Sequence, residues 1–104
     1  LVYPSHYEGF GLPPVEMLAA GGAVLASTAD AVREVCGRHA ELIPPDDVAG
    51  WRDAMYRLAT DAEYRDELRR GGPQHAARFT WQRAARETMA VYRAVLGEGA
   101  SGRA

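Results

Sequence analysis

The stretch Ser5-His6-Tyr7-Glu8-Gly9-Phe10-Gly11-Leu12-Pro13-Pro14-Val15-Glu16 decides how this chain is read. Just ahead of it, Leu1-Val2-Tyr3 is a short apolar, β-favouring run that Pro4 stops, which suits the end of a buried strand. Gly9 and Gly11 give residues 5–12 the freedom needed for a tight loop. Pro13 and Pro14 fall where a helix can begin, because proline in the first helical turn sacrifices no internal hydrogen bond. Val15, Leu18 and Ala19 give that helix an apolar side, and Gly21-Gly22 ends it. Strand, glycine loop and helix in this order place the loop at the carboxyl end of a strand, where open parallel sheets bind their ligands. There the amides of Phe10, Gly11 and Leu12 can face an anion, helped by the positive end of the helix. Glu8 stands before the glycine turn, and Glu16 stands after it, in about the first turn of the helix. Two carboxylates flanking an amide-rich turn suit a ligand with hydroxyls on both sides of a phosphate. A nucleotide-sugar is such a ligand.

Working outward, residues 23–26 form a second apolar run, short enough for a buried parallel strand. A polar loop, a short helix over residues 31–36 closed by Gly37, and a third strand over residues 41–44 follow. Asp46 or Asp47 can cap the next helix, whose apolar positions Val48, Trp51, Met55 and Leu58 keep helical spacing. Residues 62–70 give a further helix that stops at Gly71-Gly72, and residues 80–96 give a last one with Thr80 as its cap. Trp51, Trp81 and Tyr92 sit on helical stripes and read as packing residues rather than sugar platforms. Residues 97–104 form a small-residue tail expected to be disordered, so residues 1–96 make the structured unit. Strands alternating with helices imply an α/β fold with parallel pairing and right-handed crossovers. Three short strands amount to half of a doubly wound domain. The first strand is left short of neighbours, so an open edge and self-association of the isolated chain are expected.

Composition narrows the function further. A formal net charge of −2 argues against an electrostatic nucleic-acid binder, and the arginines are interleaved with acids, as in Arg65-Asp66-Glu67. No apolar run approaches the roughly 18–20 residues of a membrane span. Cys36 is the only cysteine, so it reads as an idle thiol in a reducing cytoplasm. His39 and His75 have no recognisable partners in the sequence, and His6 reads as a solvated loop residue. A dehydrogenase-type dinucleotide site fares poorly, because Gly9-x-Gly11 lacks a third glycine and runs into Pro13-Pro14.

The quoted stretch also resembles the signature of family 4 of the retaining glycosyltransferases, enzymes with two Rossmann-like domains in the GT-B arrangement. The pattern is Pro-Ser, two variable residues, Glu-Gly-Phe-Gly-Leu, and a second Glu eight positions after the first. Here Pro4-Ser5, Glu8 to Leu12 and Glu16 meet it. The small-residue run Met17 to Gly21, the strand Ala23-Val24-Leu25-Ala26-Ser27, the turn Glu34-Val35-Cys36-Gly37 and the closing segment from Phe79 to Arg93 extend the likeness over nearly the whole chain. Ala23 stands where the family usually has proline.

The resemblance implies a partial Rossmann-like parallel sheet, the second half of the C-terminal domain of a GT-B fold, followed by C-terminal helices. It implies that Glu8 is the catalytic-centre residue touching the donor sugar's hydroxyls. It further implies that Glu16 binds the ribose, and that Gly9, Phe10, Gly11 and Leu12 approach the sugar and diphosphate. No metal and no cofactor are implied; the nucleotide-diphosphate sugar is a substrate. The family's Arg and Lys that neutralise the diphosphate, and its acceptor domain, would lie upstream of Leu1. The chain therefore reads as a fragment of a glycosyltransferase, inactive alone, whose upstream half supplies cations and acceptor. The alternative is a non-catalytic nucleotide-sugar-binding or interaction module derived from such an enzyme. The expected location is the cytoplasm, with peripheral attachment to the inner membrane through an N-terminal domain left open.

Overall fold

Each short apolar run becomes a strand, and all the strands point the same way. The computed structural model describes residues 1–97. Among these it has a three-stranded parallel sheet in the order β1 (Val2–Tyr3), β2 (Leu25–Ser27), β3 (Glu41–Ile43). Val2 lies opposite Leu25, Leu25 opposite Glu41, and Ser27 opposite Ile43. Parallel neighbours need a crossover. Helix α1 (Leu12–Ala19) connects β1 to β2, and α2 (Asp30–Cys36) with the 3₁₀ turn Gly37–His39 connects β2 to β3.

The two-residue side-chain period of a strand sorts β2 and β3 between two faces. Val24, Ala26 and Leu42 turn to one side, where Val15 and Leu18 of α1 and Val32, Val35 and Cys36 of α2 meet them. Leu25 and Ile43 turn to the other side and pack on Trp51 of α3 (Val48–Thr60). The Trp51 indole donates to the Pro44 carbonyl at 3.0 Å, which satisfies its one polar atom. Helices on both faces make this the α/β, doubly wound half-sheet that the alternation of runs predicts. A fully buried side chain such as Leu18, Val24 or Val32 contributes about 1.5–3 kcal/mol of hydrophobic stabilisation.

Local signals fix the helix starts. Asp47 accepts from the Gly50 amide at 2.9 Å, Asp61 from Tyr64 at 3.0 Å, and Thr80 from Arg83 at 3.0 Å. These cap α3, α4 (Ala62–Arg69) and α6 (Trp81–Leu96) in turn.

Three features differ from the sequence reading. A short helix, α5 (Gly72–Ala76), begins within the Gly71-Gly72 pair that was expected only to end α4. Gly71 takes φ +83°, turns the chain, and Pro73 opens a new helix. Gly72 then lets α5 approach α1 so closely that a Cβ there would lie 3.3 Å from the Leu18 carbonyl oxygen. Second, Val2 of β1 is 45% exposed rather than buried, although β1 stands at the open edge that was expected. Third, α6 buries none of its residues. Trp81 and Tyr92 are 84% and 58% exposed. The tail expected over residues 97–104 lies, from residue 98 onward, outside the described residues. No helix among the described residues is long and apolar enough to cross a membrane.

Candidate functional site

The carboxyl ends of all three strands open onto one cleft of about 350 Å³. His6, Tyr7 and Glu8 line it from the loop after β1, Thr28 to Ala31 from the junction of β2 and α2, and Pro45 from beyond β3. That is where an open parallel sheet presents ligands. His6 Nε2 and Asp46 Oδ1 lie 2.8 Å apart and tie the first loop to the last. The β2–α2 junction is held by its own bonds. The buried Ser27 hydroxyl accepts from the Ala29 amide at 3.3 Å, and the Thr28 amide donates to the Ile43 carbonyl at 3.2 Å.

Glu8 is the anchored carboxylate of this cleft. The Ser5 hydroxyl donates to Glu8 Oε1 at 2.7 Å, and the Tyr3 phenol acts on the same carboxyl electrostatically. These two donors, Ser5 first, hold the Glu8 carboxyl below the usual glutamate range, so it is ionised at neutral pH. The reciprocal effect appears on Tyr3, whose phenol is pushed up chiefly by its bond to Glu8 and secondarily by burial. Asp30 adds a second carboxylate to the lining. Apart from His6, no side chain lining the cleft among the described residues can carry positive charge. The cleft is therefore suited to hydroxyl donors, such as those of a sugar, far better than to phosphate.

Beside it lies the glycine turn that leads into α1. Gly11 is the residue before α1 and has φ +107°, a left-handed conformation open to glycine. A Cβ there would also sit 3.3 Å from Val35 Cγ2 of α2, so the turn is pressed against that helix. Because Pro13 and Pro14 carry no N–H and Gly11 has no capping side chain, the donors at the head of α1 come from the loop and Leu12. Gly9 has nothing within 4 Å of where a Cβ would stand, leaving its backbone open to a close neighbour.

The structure thus divides the sequence-derived candidates. Glu8 faces the strand-end cleft. Phe10 and Leu12 line a second, larger groove of about 610 Å³, shared with Phe79, Trp81 and Arg83 at the start of α6. Phe10 packs edge-on against Phe79, with ring centres 5.8 Å apart. Glu16 is the fifth residue of α1, exposed, and lines neither cavity. Sequence reading missed Thr28 and Asp30. The signal was present, since the end of the second strand must lie level with the end of the first in a parallel sheet. It also gave His39 and His75 no partners, whereas their rings lie 4.6 Å apart. Cys36 is buried, and burial pushes its thiol up to about 11, which leaves no thiolate for chemistry at neutral pH. No group of three or more His, Cys, Asp or Glu side chains that could hold a metal occurs among the described residues.

A family model for glycosyl transferases group 1 matches residues 1–75, which takes in the whole sheet, both crossovers and all but the last residue of α5. The chain belongs to the group 1 glycosyl transferases. This transferase chain is 37% identical over 98 residues to a D-inositol 3-phosphate glycosyltransferase of Saccharomonospora viridis, covering 89% of the chain and 22% of that protein. An MMP alpha-(1->4)-mannosyltransferase of Mycolicibacterium hassiacum is 39% identical over 105 residues, with 94% and 25% covered. Among solved structures, sucrose-phosphate synthase from Thermosynechococcus elongatus superposes with a TM-score of 0.76 at 28% identity, covering 92% of the chain and 25% of the synthase. The glycosyl transferase chain therefore spans about a quarter of the length of these relatives.

Proposed function

We propose that this chain is the donor-binding portion of a retaining glycosyltransferase of family 4, the second half of the C-terminal domain of a GT-B fold. In that role it holds a nucleotide-diphosphate sugar for transfer to an acceptor. The observation that carries the proposal is the placement of Glu8, an ionised carboxylate at the strand-end cleft, directly before an amide-rich glycine turn. Glu8 accepts hydrogen bonds from the donor sugar's hydroxyls beside the reacting carbon. The backbone from Gly9 to Leu12 approaches the sugar and diphosphate, and Glu16 reaches the ribose from α1.

The acidic lining of the cleft supports a division of labour. A leaving diphosphate needs fixed positive donors, and in this reading the upstream half of the same polypeptide supplies them together with the acceptor site. No metal or cofactor enters the reading. The isolated chain binds donor weakly, does not catalyse transfer, and self-associates through its open β1 edge; the complete enzyme works in the cytoplasm.

The test is substitution in the complete polypeptide. Removing a charge-assisted hydrogen bond costs about 1.5–3 kcal/mol, so Glu8→Gln should lower transfer roughly 10- to 100-fold. Glu16→Gln should act mainly on the donor KM. Wild-type transfer by the Glu8→Gln enzyme would remove the basis of the assignment.

A further inference from the structure

Tyr3 and Ser5 stand two positions apart at the end of β1, with Pro4 between them, and Glu8 follows three residues after Ser5. The proline holds its own φ near −65° and keeps Tyr3 extended, so the chain leaves the sheet along a restricted path. Tyr3 is anchored at its ring end, packed against the cluster of Val24, Ala26 and Val32. The Ser5 hydroxyl donates to Glu8 Oε1 at 2.7 Å, and the Tyr3 phenol interacts with the same carboxylate. Glu8 is otherwise a loop residue with no helix or strand to hold it.

We propose that Ser5 and Tyr3 are positioning residues for Glu8: two hydroxyl donors, one rooted in the core, fix the carboxylate's orientation so that its remaining lone pairs face the cleft. This inference rests on the reading of Glu8 as the donor-sugar carboxylate. An aspartate or glutamate accepts about four hydrogen bonds in all, so two donors from the protein leave acceptor capacity for sugar hydroxyls. A freely rotating glutamate would have to be ordered each time a donor binds; a clasped one is ordered in advance. The same bonds favour the ionised form, which is the form that accepts from a hydroxyl.

Two measurements separate the clasp from its use. In the first, the Glu8 side-chain carboxyl is titrated by carbon-13 NMR in the wild type and in Ser5→Ala, Tyr3→Phe and Ser5→Thr. The wild-type midpoint should lie below the ordinary glutamate value, Ser5→Ala and Tyr3→Phe should each raise it, and Ser5→Thr, which keeps the hydroxyl, should restore it. An unmoved midpoint in both deletions overturns the clasp. In the second, binding of the probes UDP-glucose and GDP-mannose to the complete protein is followed from pH 7 to pH 4. Ser5→Ala and Tyr3→Phe should weaken binding about three- to tenfold, the range for one lost hydrogen bond. They should also move the acid limb of the binding profile to higher pH. A uniform loss with no shift of that limb would mean a structural role and overturn the proposal. Unchanged donor binding by Glu8→Gln would instead overturn the reading of Glu8, while the carboxyl titration still reports on the clasp.

Discussion

At the scale of single residues, the two glycines of the loop do different work, and the difference separates fold from function. Gly11 has φ +107° and presses on Val35 of α2, so Gly11→Ala meets both backbone strain and a close contact. A left-handed residue with a Cβ costs roughly 1–2 kcal/mol, and thermal unfolding should show that loss. Gly9 has open space where its Cβ would stand. Gly9→Ala should leave the unfolding midpoint nearly unchanged, within about 0.5 kcal/mol. Donor affinity should nevertheless fall, because the methyl group enters the space the proposal gives to the sugar and diphosphate. An alanine at position 9 that leaves both stability and donor binding intact would count against a close approach there. The glycine turn was readable from sequence because glycine spacing next to paired prolines has few other uses. The Ser5–Glu8 bond was not read, since nothing in a string of letters shows which way a loop carboxylate turns.

Among the elements, α5 is the one that sequence reading did not anticipate, and it brings a pH dependence with it. Its five residues are too few to show a helical period, and a Gly-Gly pair ahead of it signals a stop just as well as a start. Its close approach to α1 at Gly72 and the burial of Ala76 in the core hold it in place. His75 of α5 lies 2.6 Å through Nε2 from the Val35 carbonyl, so that nitrogen donates. Its ring faces His39 of the 3₁₀ turn at 4.6 Å, and Phe79 packs edge-on against its other side. Burial chiefly, then the neighbouring His75 and Arg38, hold His39 below its ordinary value of 6.5, against a smaller opposing bond to the Arg70 backbone. A depressed histidine means that the unfolded chain binds the proton more readily. The stabilisation is therefore fully present above pH 6.5 and is lost as pH falls through the lower folded-state value. The unfolding temperature should drop on acidification below pH 6.5, and His39→Gln should flatten that part of the profile. An identical acid profile in both proteins would show that the pair is not the titrating element.

For the whole molecule, the parallel sense of the strands and their helical connections were legible because short apolar runs alternating with helical periods leave few topologies open, whereas the order of the strands in the sheet was not read. What was not legible is how unevenly the chain is covered. The stripe carrying Trp81 and Tyr92 reads as a packing face, yet α6 stands with that stripe exposed. Periodicity reports that a helix has an apolar side, not whether a partner for it lies among the described residues. The central claim is that the strand-end cleft and the glycine turn together receive a nucleotide-sugar. The most direct test is a backbone amide NMR titration of the chain with GDP-mannose and UDP-glucose at millimolar concentration, repeated with Glu8→Gln. The account predicts shifts concentrated at Gly9 to Leu12 and at Thr28 to Asp30 for at least one donor, and their loss in the variant. Shifts confined to the groove between Phe79 and Arg83, or none at all, would contradict it.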